Sequence, residues 1–205
     1  MDNEAEQPEF WDTAFNEKKE MWGFEPAKSA VITRDFFVAQ SIKNVLIPGI
    51  GYGRNAAVFV EAGMSVTGIE ISKAAIDMAK KHYGTDMTIY HGSATDMPFD
   101  NSRYDGIFCH ALIHLLGEED RKKLIRDCYD QLVDGGFMVF TIISKEASTY
   151  GQGKYISKDR YEMFGGVTLF FYDRESIADE FGNAGLLEVI EIEENYPFYL
   201  IKCKK

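Results

Sequence analysis

Cysteine is scarce in this chain of 205 residues. There are three, Cys109, Cys128 and Cys203, an odd set without CxxC spacing. That excludes a disulfide framework and a thiolate zinc site, and the thiols read as reduced, in a cytoplasm. Basic residues are outnumbered, 22 Lys and Arg against 33 Asp and Glu, for a net charge of −11. A broad electropositive face for nucleic acid is therefore not expected, because neutralising phosphates takes clustered Lys and Arg. The balance suits plain solubility and, at a site, a small neutral or cationic ligand. No run is long and apolar enough to span a bilayer, and the polar, acidic start MDNEAEQPEF reads as a loose tail rather than a secretory leader. Internal repeats, low-complexity blocks and Pro- or Ser-rich linkers are absent as well.

What the chain does have is core. Hydrophobic residues make up 45% of it, enough for one domain with a modest cap. Residues 9–22 and 28–41 read as two helices, separated by the breakers Gly23 and Pro26. A regular alternation follows. Strands are expected at 43–48, 64–70, 86–91, 103–109 and 136–143, and helices at 53–62, 72–82 and 118–132. Two of the strands are nearly unbroken apolar runs, as burial on both faces requires. Alternation of this kind implies a parallel sheet with right-handed crossovers. The end differs: a helix over 173–184, then LLEVIEIEE (186–194) and FYLIKCKK (198–205), joined only by Asn195, Tyr196 and Pro197. So short a link forces antiparallel pairing. Residues 144–168 carry no regular pattern and read as an irregular loop at a strand end, a usual place for a substrate cap.

The chemistry concentrates in residues 45–55, VLIPGIGYGRN. An apolar strand meets Gly49, Gly51 and Gly53, and an apolar helical stretch follows. Glycines there let backbone approach a ligand that a Cβ would repel. The helix start offers free N–H groups to polar atoms. The stretch 51–56 also fits a loose GxGxxA dinucleotide pattern. Glu70 ends the second strand, where a carboxylate can accept from the cis hydroxyls of a ribose. Its alternative role is a charge at the start of the next helix, which Ser72 can cap. The third strand leads into HGSATDMPFD (91–100). There Ile71 and Met97 can flank a flat base while Ser93, Ala94 and Asp96 meet its edge; the plain alternative is a polar turn. The fourth strand leads into CHALIHLL (109–116), which puts Cys109 and His110 beneath a ligand.

As a set, these segments resemble the class I S-adenosylmethionine-dependent methyltransferases. The N-terminal FWDTAFNEKKEMWGFEPAKS, together with GYGRN, is most similar to the small-molecule branch that includes thiopurine and tellurite-resistance methyltransferases. The resemblance implies an α/β, Rossmann-like three-layer sandwich, with a seven-stranded, mostly parallel sheet and an antiparallel last strand. It divides the chain into an N-terminal helical cap (1–42) and a cofactor-binding domain (43–205). It implies S-adenosylmethionine as cofactor, held by Gly49, Gly51, Gly53, Arg54, Asn55, Glu70, Ile71, Ser93, Ala94, Asp96, Met97, Cys109 and His110. In that branch the N-terminal aromatic segment closes over the cofactor, which would place Trp11 and Trp22 there; otherwise they glue a helix to the sheet. Two positions depart from the family. Ile47 stands where an acid is usual in the first strand, which leaves the cofactor's ammonium to backbone carbonyls such as that of Gly49. Ser93 replaces the usual Asp of the adenine motif.

The expected reaction is in-line methyl transfer to a heteroatom of a small molecule, largely by positioning. His110 and His114, four residues apart, are the candidate catalytic bases. The alternative is that His110 packs beside the cofactor and His114 at a core edge. No metal is expected, since a third ligand for the pair is not evident. Tyr150, Tyr155, Tyr161, Phe164, Phe170, Phe171 and Tyr172 form an aromatic-rich cap region. No nucleic acid or membrane partner is expected, and the chain is expected as a monomer or homodimer. Two other readings are open: a non-catalytic binder of S-adenosylmethionine or S-adenosylhomocysteine, and a nicotinamide-dependent oxidoreductase.

Overall fold

The computed structural model describes residues 7–18, 22–163 and 166–205. Met21 and Phe164, and residues 1–6 of the expected tail, lie outside these. Two helices lead, α1 (Gln7–Lys18) and α2 (Lys28–Ala39). Then come β1 (Asn44–Pro48), α3 (Ala57–Glu61), β2 (Ser65–Glu70), α4 (Lys73–Tyr83), β3 (Met87–His91), β4 (Tyr104–His110), α5 (Glu118–Gln131) and β5 (Leu132–Ile143). Strands β6 (Lys154–Ser157), β7 (Arg160–Met163) and β8 (Val167–Phe170) follow, then α6 (Arg174–Phe181), β9 (Leu186–Glu193) and β10 (Pro197–Lys204). No described helix is long and apolar enough to cross a membrane.

Seven strands form one sheet in the order β3-β2-β1-β4-β5-β10-β9. β1, β2, β3, β4 and β5 pair in parallel. β10 runs antiparallel to both β5 and β9. This is the predicted α/β sheet with its reversed last strand. Buried side chains fill both faces. Phe37 of α2 and Phe59 of α3 pack against Val45, Ile47 and Phe108 on one side. Leu124 of α5 and Phe181 of α6 pack against Leu46, Ile107 and Phe140 on the other. The result is three layers.

Local chemistry explains the elements. The Ser72 hydroxyl accepts from the Ala75 N–H at 3.2 Å and caps α4. Asp173 and Ser176 form a reciprocal capping box on α6. α5 opens on Glu118, Glu119 and Asp120, charges that suit a helix N-terminus. β5 begins four residues earlier than the sequence predicts. Asp134 and Gly135 lie in a bulge inside it: Tyr104 and Gly106 stand opposite Leu132 and Phe137.

The main departure is residues 144–168. They hold a second, three-stranded antiparallel sheet, β6-β7-β8, rather than an irregular loop. It packs through Met163 and Leu169 on Ile143 and Phe198, at the carboxyl end of β5 and the start of β10.

Between β1 and β4 the chain changes direction across the sheet, so a crevice opens outside their carboxyl ends. The turn after β1 enters that crevice because β2 has no side chain at Gly68. A Cβ there would lie 2.5 Å from Ile50 Cδ1 and 2.9 Å from Ile50 Cβ. Gly68→Ala is expected to destabilise by about 1–3 kcal/mol through overpacking, read by thermal melting. A melt unchanged from the native protein would show that Ile50 is free to move.

Candidate functional site

The turn after β1 is shaped by left-handed glycines, Gly49 (φ 69°), Gly51 (φ 60°) and Gly53 (φ 86°). The Gly49 and Ile50 N–H groups both donate to the Ile69 carbonyl, at 2.8 and 3.1 Å, which ties the turn to β2. A Cβ on Gly51 would meet nothing within 4 Å, so this backbone faces open space. On Gly53 it would lie 3.0 Å from the Tyr83 ring, so that glycine serves packing.

Glu70 closes the turn from the next strand. One carboxylate oxygen accepts from the Gly51 N–H at 2.8 Å, the other from the Ser72 N–H at 2.9 Å. A carboxylate offers about four lone-pair directions, so acceptor capacity remains for a ligand beyond the Gly51, Ser72 and Ile71 N–H groups. Burial pushes the Glu70 carboxyl above the usual carboxylate range, while the Ser72 and Gly51 N–H groups pull it back.

A cavity of about 2050 Å³ lies in the crevice. It runs from Trp11, Trp22 and the glycine turn, past His110 and His114, to Arg160 and Leu169 of the small sheet. Of the predicted cofactor residues, Gly49, Gly51, Arg54, Asn55, Glu70, Ile71, Ser93, Ala94 and His110 also line it. Gly53, Asp96, Met97 and Cys109 do not. Met97 is in the main core, where the Gln131 amide reaches its sulfur at 3.6 Å. Cys109 points into the same core, and burial raises its thiol far above the usual range. Ser93 lines the wall but spends its hydroxyl locally: it lies 2.7 Å from the Thr95 hydroxyl and accepts from the Thr95 N–H.

Arg54 and Asn55 also have partners the sequence did not suggest. The Arg54 guanidinium donates to the Glu25 carbonyl at 2.8 Å, and Asn55 Oδ1 accepts from the Ala27 N–H at 2.8 Å. Tyr52, between the glycines, donates to the Gly23 carbonyl at 2.6 Å and stacks on Trp22. The glycine turn thus grips the segment before α2. α1 is held separately. Asp12 accepts from the Ser72 hydroxyl at 2.5 Å and from the Ala74 N–H at 3.1 Å, at the start of α4. The Ser72 bond, and the N–H bonds with it, hold the Asp12 carboxyl below its ordinary range.

His110 stands where four elements meet. Its Nδ1 lies 2.7 Å from the Thr141 hydroxyl of β5 and 3.2 Å from the Ser29 hydroxyl of α2. Phe198 of β10 stacks on its ring at 6.3 Å. Behind Ser29, the Glu194 carboxylate accepts from the Ser29 N–H at 2.8 Å and the Lys28 N–H at 3.3 Å. Ala27, at the cap position of α2, makes no side-chain cap, so Glu194 supplies it from the β9–β10 turn. Burial lowers His110 to about 4 despite the upward pull of Glu194, and Arg54 lowers it further. His114 is buried, and its Nδ1 accepts from the Ile143 N–H at 3.3 Å. Burial, and then His110, lower it to about 3.

Ser29, Thr141 and Glu194 carry no sequence signal of their own, since each matters only through a partner far along the chain. The same holds for Lys145, which pairs with Asp159 at 2.7 Å and Asp173 at 2.5 Å and so rivets the small sheet to α6. Among the described residues, no three His, Cys, Asp or Glu side chains converge as a metal cluster.

Comparison with known proteins agrees with this geometry. Residues 45–136 match a family described as methyltransferase domain. Ubiquinone biosynthesis O-methyltransferase of Coxiella burnetii is 28% identical over 111 residues, 53% of this chain and 47% of that protein. The chain therefore spans about half the length of the curated relatives it matches. Two solved structures extend the likeness over the fold. One is the Burkholderia thailandensis 1,6-didemethyltoxoflavin-N1-methyltransferase with bound 1,6-didemethyltoxoflavin and S-adenosylhomocysteine, with TM-score 0.77, 13% identity and coverage of 98% and 88% of the two chains. The other is the magnesium protoporphyrin IX methyltransferase of Synechocystis with bound S-adenosylmethionine, with TM-score 0.73, 12% identity and coverage of 100% and 98%. These relatives are methyltransferases, and the nicotinamide-oxidoreductase reading of the glycine pattern is set aside. Residues 45–136 are thus similar in sequence to a methyltransferase domain, and the chain around them shares the fold of these solved methyltransferases.

Proposed function

We propose that this protein is an S-adenosylmethionine-dependent methyltransferase acting on a small molecule. The observation that carries the reading is Glu70, a buried carboxylate that fixes Gly51 and still has lone pairs for a ribose diol. The residues around it fit the cofactor. Gly51 leaves room at the turn, and Ile71 and Ala94 line the cavity beside it. The relatives' printed names, a ubiquinone biosynthesis O-methyltransferase, a 1,6-didemethyltoxoflavin-N1-methyltransferase and a magnesium protoporphyrin IX methyltransferase, support a small acceptor. A net charge of −11 speaks against a nucleic-acid acceptor, and three buried free cysteines suit a cytoplasmic setting.

When bound, the cofactor supplies an activated methyl group on a sulfonium. The chain's task is then alignment and exclusion of water, which can lower the barrier by roughly 7–11 kcal/mol in favourable cases. The glycine turn and Glu70 hold the nucleoside. Trp11 and Trp22 cover it, and 1–42 acts as a helical cap on the domain 43–205. The acceptor lies on the other side of His110, between the end of β5 and the small sheet.

Calorimetric titration with S-adenosylmethionine, S-adenosylhomocysteine and NAD tests the reading. The first two are expected to bind with micromolar Kd, about −8 kcal/mol, and NAD not at all. Binding of NAD alone would sink the proposal. Cofactor binding without turnover of any acceptor would leave a binding protein.

A further inference from the structure

We propose that His110 and His114 face the cavity as neutral hydrogen-bond donors through Nε2–H. The acceptor is then a small molecule whose methyl-accepting group is already ionised at neutral pH: a carboxylate, an acidic phenol or an aromatic thiol. The acceptor class rests on the methyl-transfer reading above; the state of the two rings does not.

Tautomer follows from the partners of Nδ1. In His114, Nδ1 receives the Ile143 N–H at 3.3 Å. A nitrogen that accepts carries no proton, so the neutral ring holds its proton on Nε2. In His110, Nδ1 faces the hydroxyls of Thr141 and Ser29, two fully buried residues. The Thr141 oxygen already accepts from the Ala111 N–H at 3.3 Å, so its own proton must go elsewhere. Among the described residues, Nδ1 of His110 is the one acceptor in reach of either hydroxyl proton. A proton on Nδ1 would leave two buried O–H donors unpaired; a proton on Nε2 gives both a shared lone pair.

Both rings thus spend Nδ1 on the protein. Nε2 is the nitrogen left for anything in the cavity, and in both rings it donates. A nitrogen that carries a proton cannot take one from a substrate. The charged and titratable groups facing the pair do not reverse this. Glu194, on the β9–β10 turn, raises His110, but burial and Arg54 of the glycine turn lower it, and His114 feels burial and His110. Both rings stay neutral from about pH 5 upward.

Two N–H donors on the cavity wall suit an anion. The balance of the step fits as well. The acceptor's lone pair forms a bond to the methyl carbon, the sulfonium C–S bond breaks, and its electron pair stays on sulfur. The negative acceptor and positive sulfonium become two neutral products, and no proton moves at the protein. Such charge cancellation is favoured where water is excluded. The acceptor's own proton is lost to solvent before binding.

The test is ¹⁵N NMR of the histidine rings in the full chain, alone and with S-adenosylhomocysteine. The rings are assigned with His110→Gln and His114→Gln. At neutral pH both are expected to show a pyridine-like Nδ1 and a pyrrole-like Nε2. Ser29→Ala with Thr141→Val is expected to turn His110 into a tautomer mixture while leaving His114 unchanged. A pyridine-like Nε2 on either ring of the native protein overturns the proposal, and so does an unmoved His110 in the double variant. A panel pairing a nitrophenol with unsubstituted phenol then reads the acceptor. kcat/KM is expected to rise with the acceptor's own ionisation. Equal turnover of both phenols, with a pH profile set by the enzyme, overturns the ionised-acceptor class. Failure of S-adenosylmethionine to bind in calorimetry would instead remove the methyl-transfer reading, with the tautomers still read directly.

Discussion

Glu70→Ala is expected to weaken S-adenosylmethionine binding by about 3 kcal/mol, more than a hundredfold, in a protein that still folds. A hydrogen bond to a charged group is worth about 1.5–3 kcal/mol, and a ribose diol makes two of them. The substitution also leaves the Gly51 and Ser72 N–H groups without the acceptor they share. Loss of that acceptor adds a stability cost of about 1–3 kcal/mol, partly offset because a buried charge disappears too. Calorimetry gives the first number and urea unfolding the second. Glu70→Gln separates them: it keeps one acceptor oxygen and the side-chain volume, but turns an N–H₂ towards a backbone donor. It is expected to lose most of the affinity and less of the stability. Should Glu70→Ala unfold more easily yet bind within tenfold of native, the carboxylate would be an anchor for the turn and no ribose ligand. The same group predicts a pH effect. Burial raises its pKa above 4.5, and the protonated form has lost the charge that holds the hydroxyls. Affinity is therefore complete at neutral pH and falls as the solution is acidified towards that raised value.

Arg121→Met is expected to cost about 3–5 kcal/mol of stability and to lower the melting temperature by roughly 10 °C. Arg121 and Glu180 pair at 2.8 Å with side chains only 4% and 9% exposed. The guanidinium also donates to the Leu116 carbonyl and lies 3.9 Å over the Phe170 ring, while the Tyr172 hydroxyl donates to Glu180 at 2.7 Å. Removing the arginine leaves a carboxylate buried with one neutral donor. The cost measures that stranded charge rather than the worth of the pair. Arg121→Met with Glu180→Leu is therefore expected to return most of the loss, because an apolar pair of similar volume needs no solvation. Urea denaturation of the single and double variants reads both. A double variant as unstable as the single one would mean that packing against Phe170 and Tyr172, not charge, holds α5 to α6 here.

The sheet was legible because its strands are written in long apolar runs. β1 is buried along NVLIP after its first residue, and β4 along most of YDGIFCH, so their pattern follows from burial on both faces. The small sheet was not legible. Its strands are four residues each, mix Lys, Arg and Glu with aromatics, and sit among Gly151, Gly153 and Gly166. Segments so short have no period to read, and their place is fixed by packing on Ile143 and Phe198 and by the Lys145–Asp159 pair. At the site, Gly51 and Glu70 stood out because their roles follow from position at strand ends. Arg54 and Asn55 had the right position, but their hydrogen bonds run to the segment before α2. Met97 had the right neighbours, yet its side chain turned to the core. A pattern of residue types carries no direction of side chains, and the Thr141–His110–Ser29 cluster joins positions that only the fold brings together.

The carboxylate that caps α2 sits 165 residues further along the chain. As the polypeptide emerges during synthesis, α2 is made early and its first turn stays uncapped until the β9–β10 hairpin arrives. Contacts of such separation form late, after the entropy of a long loop has been overcome. The wall that holds Ser29 against His110 is thus finished only after the strands that carry the glycine turn and Glu70 have been made. The glycine turn and Glu70, by contrast, are joined by bonds between residues no more than 20 apart in the chain. The two sides of the crevice thus differ in how far along the chain their parts are drawn from: one is local, the other waits on the hairpin.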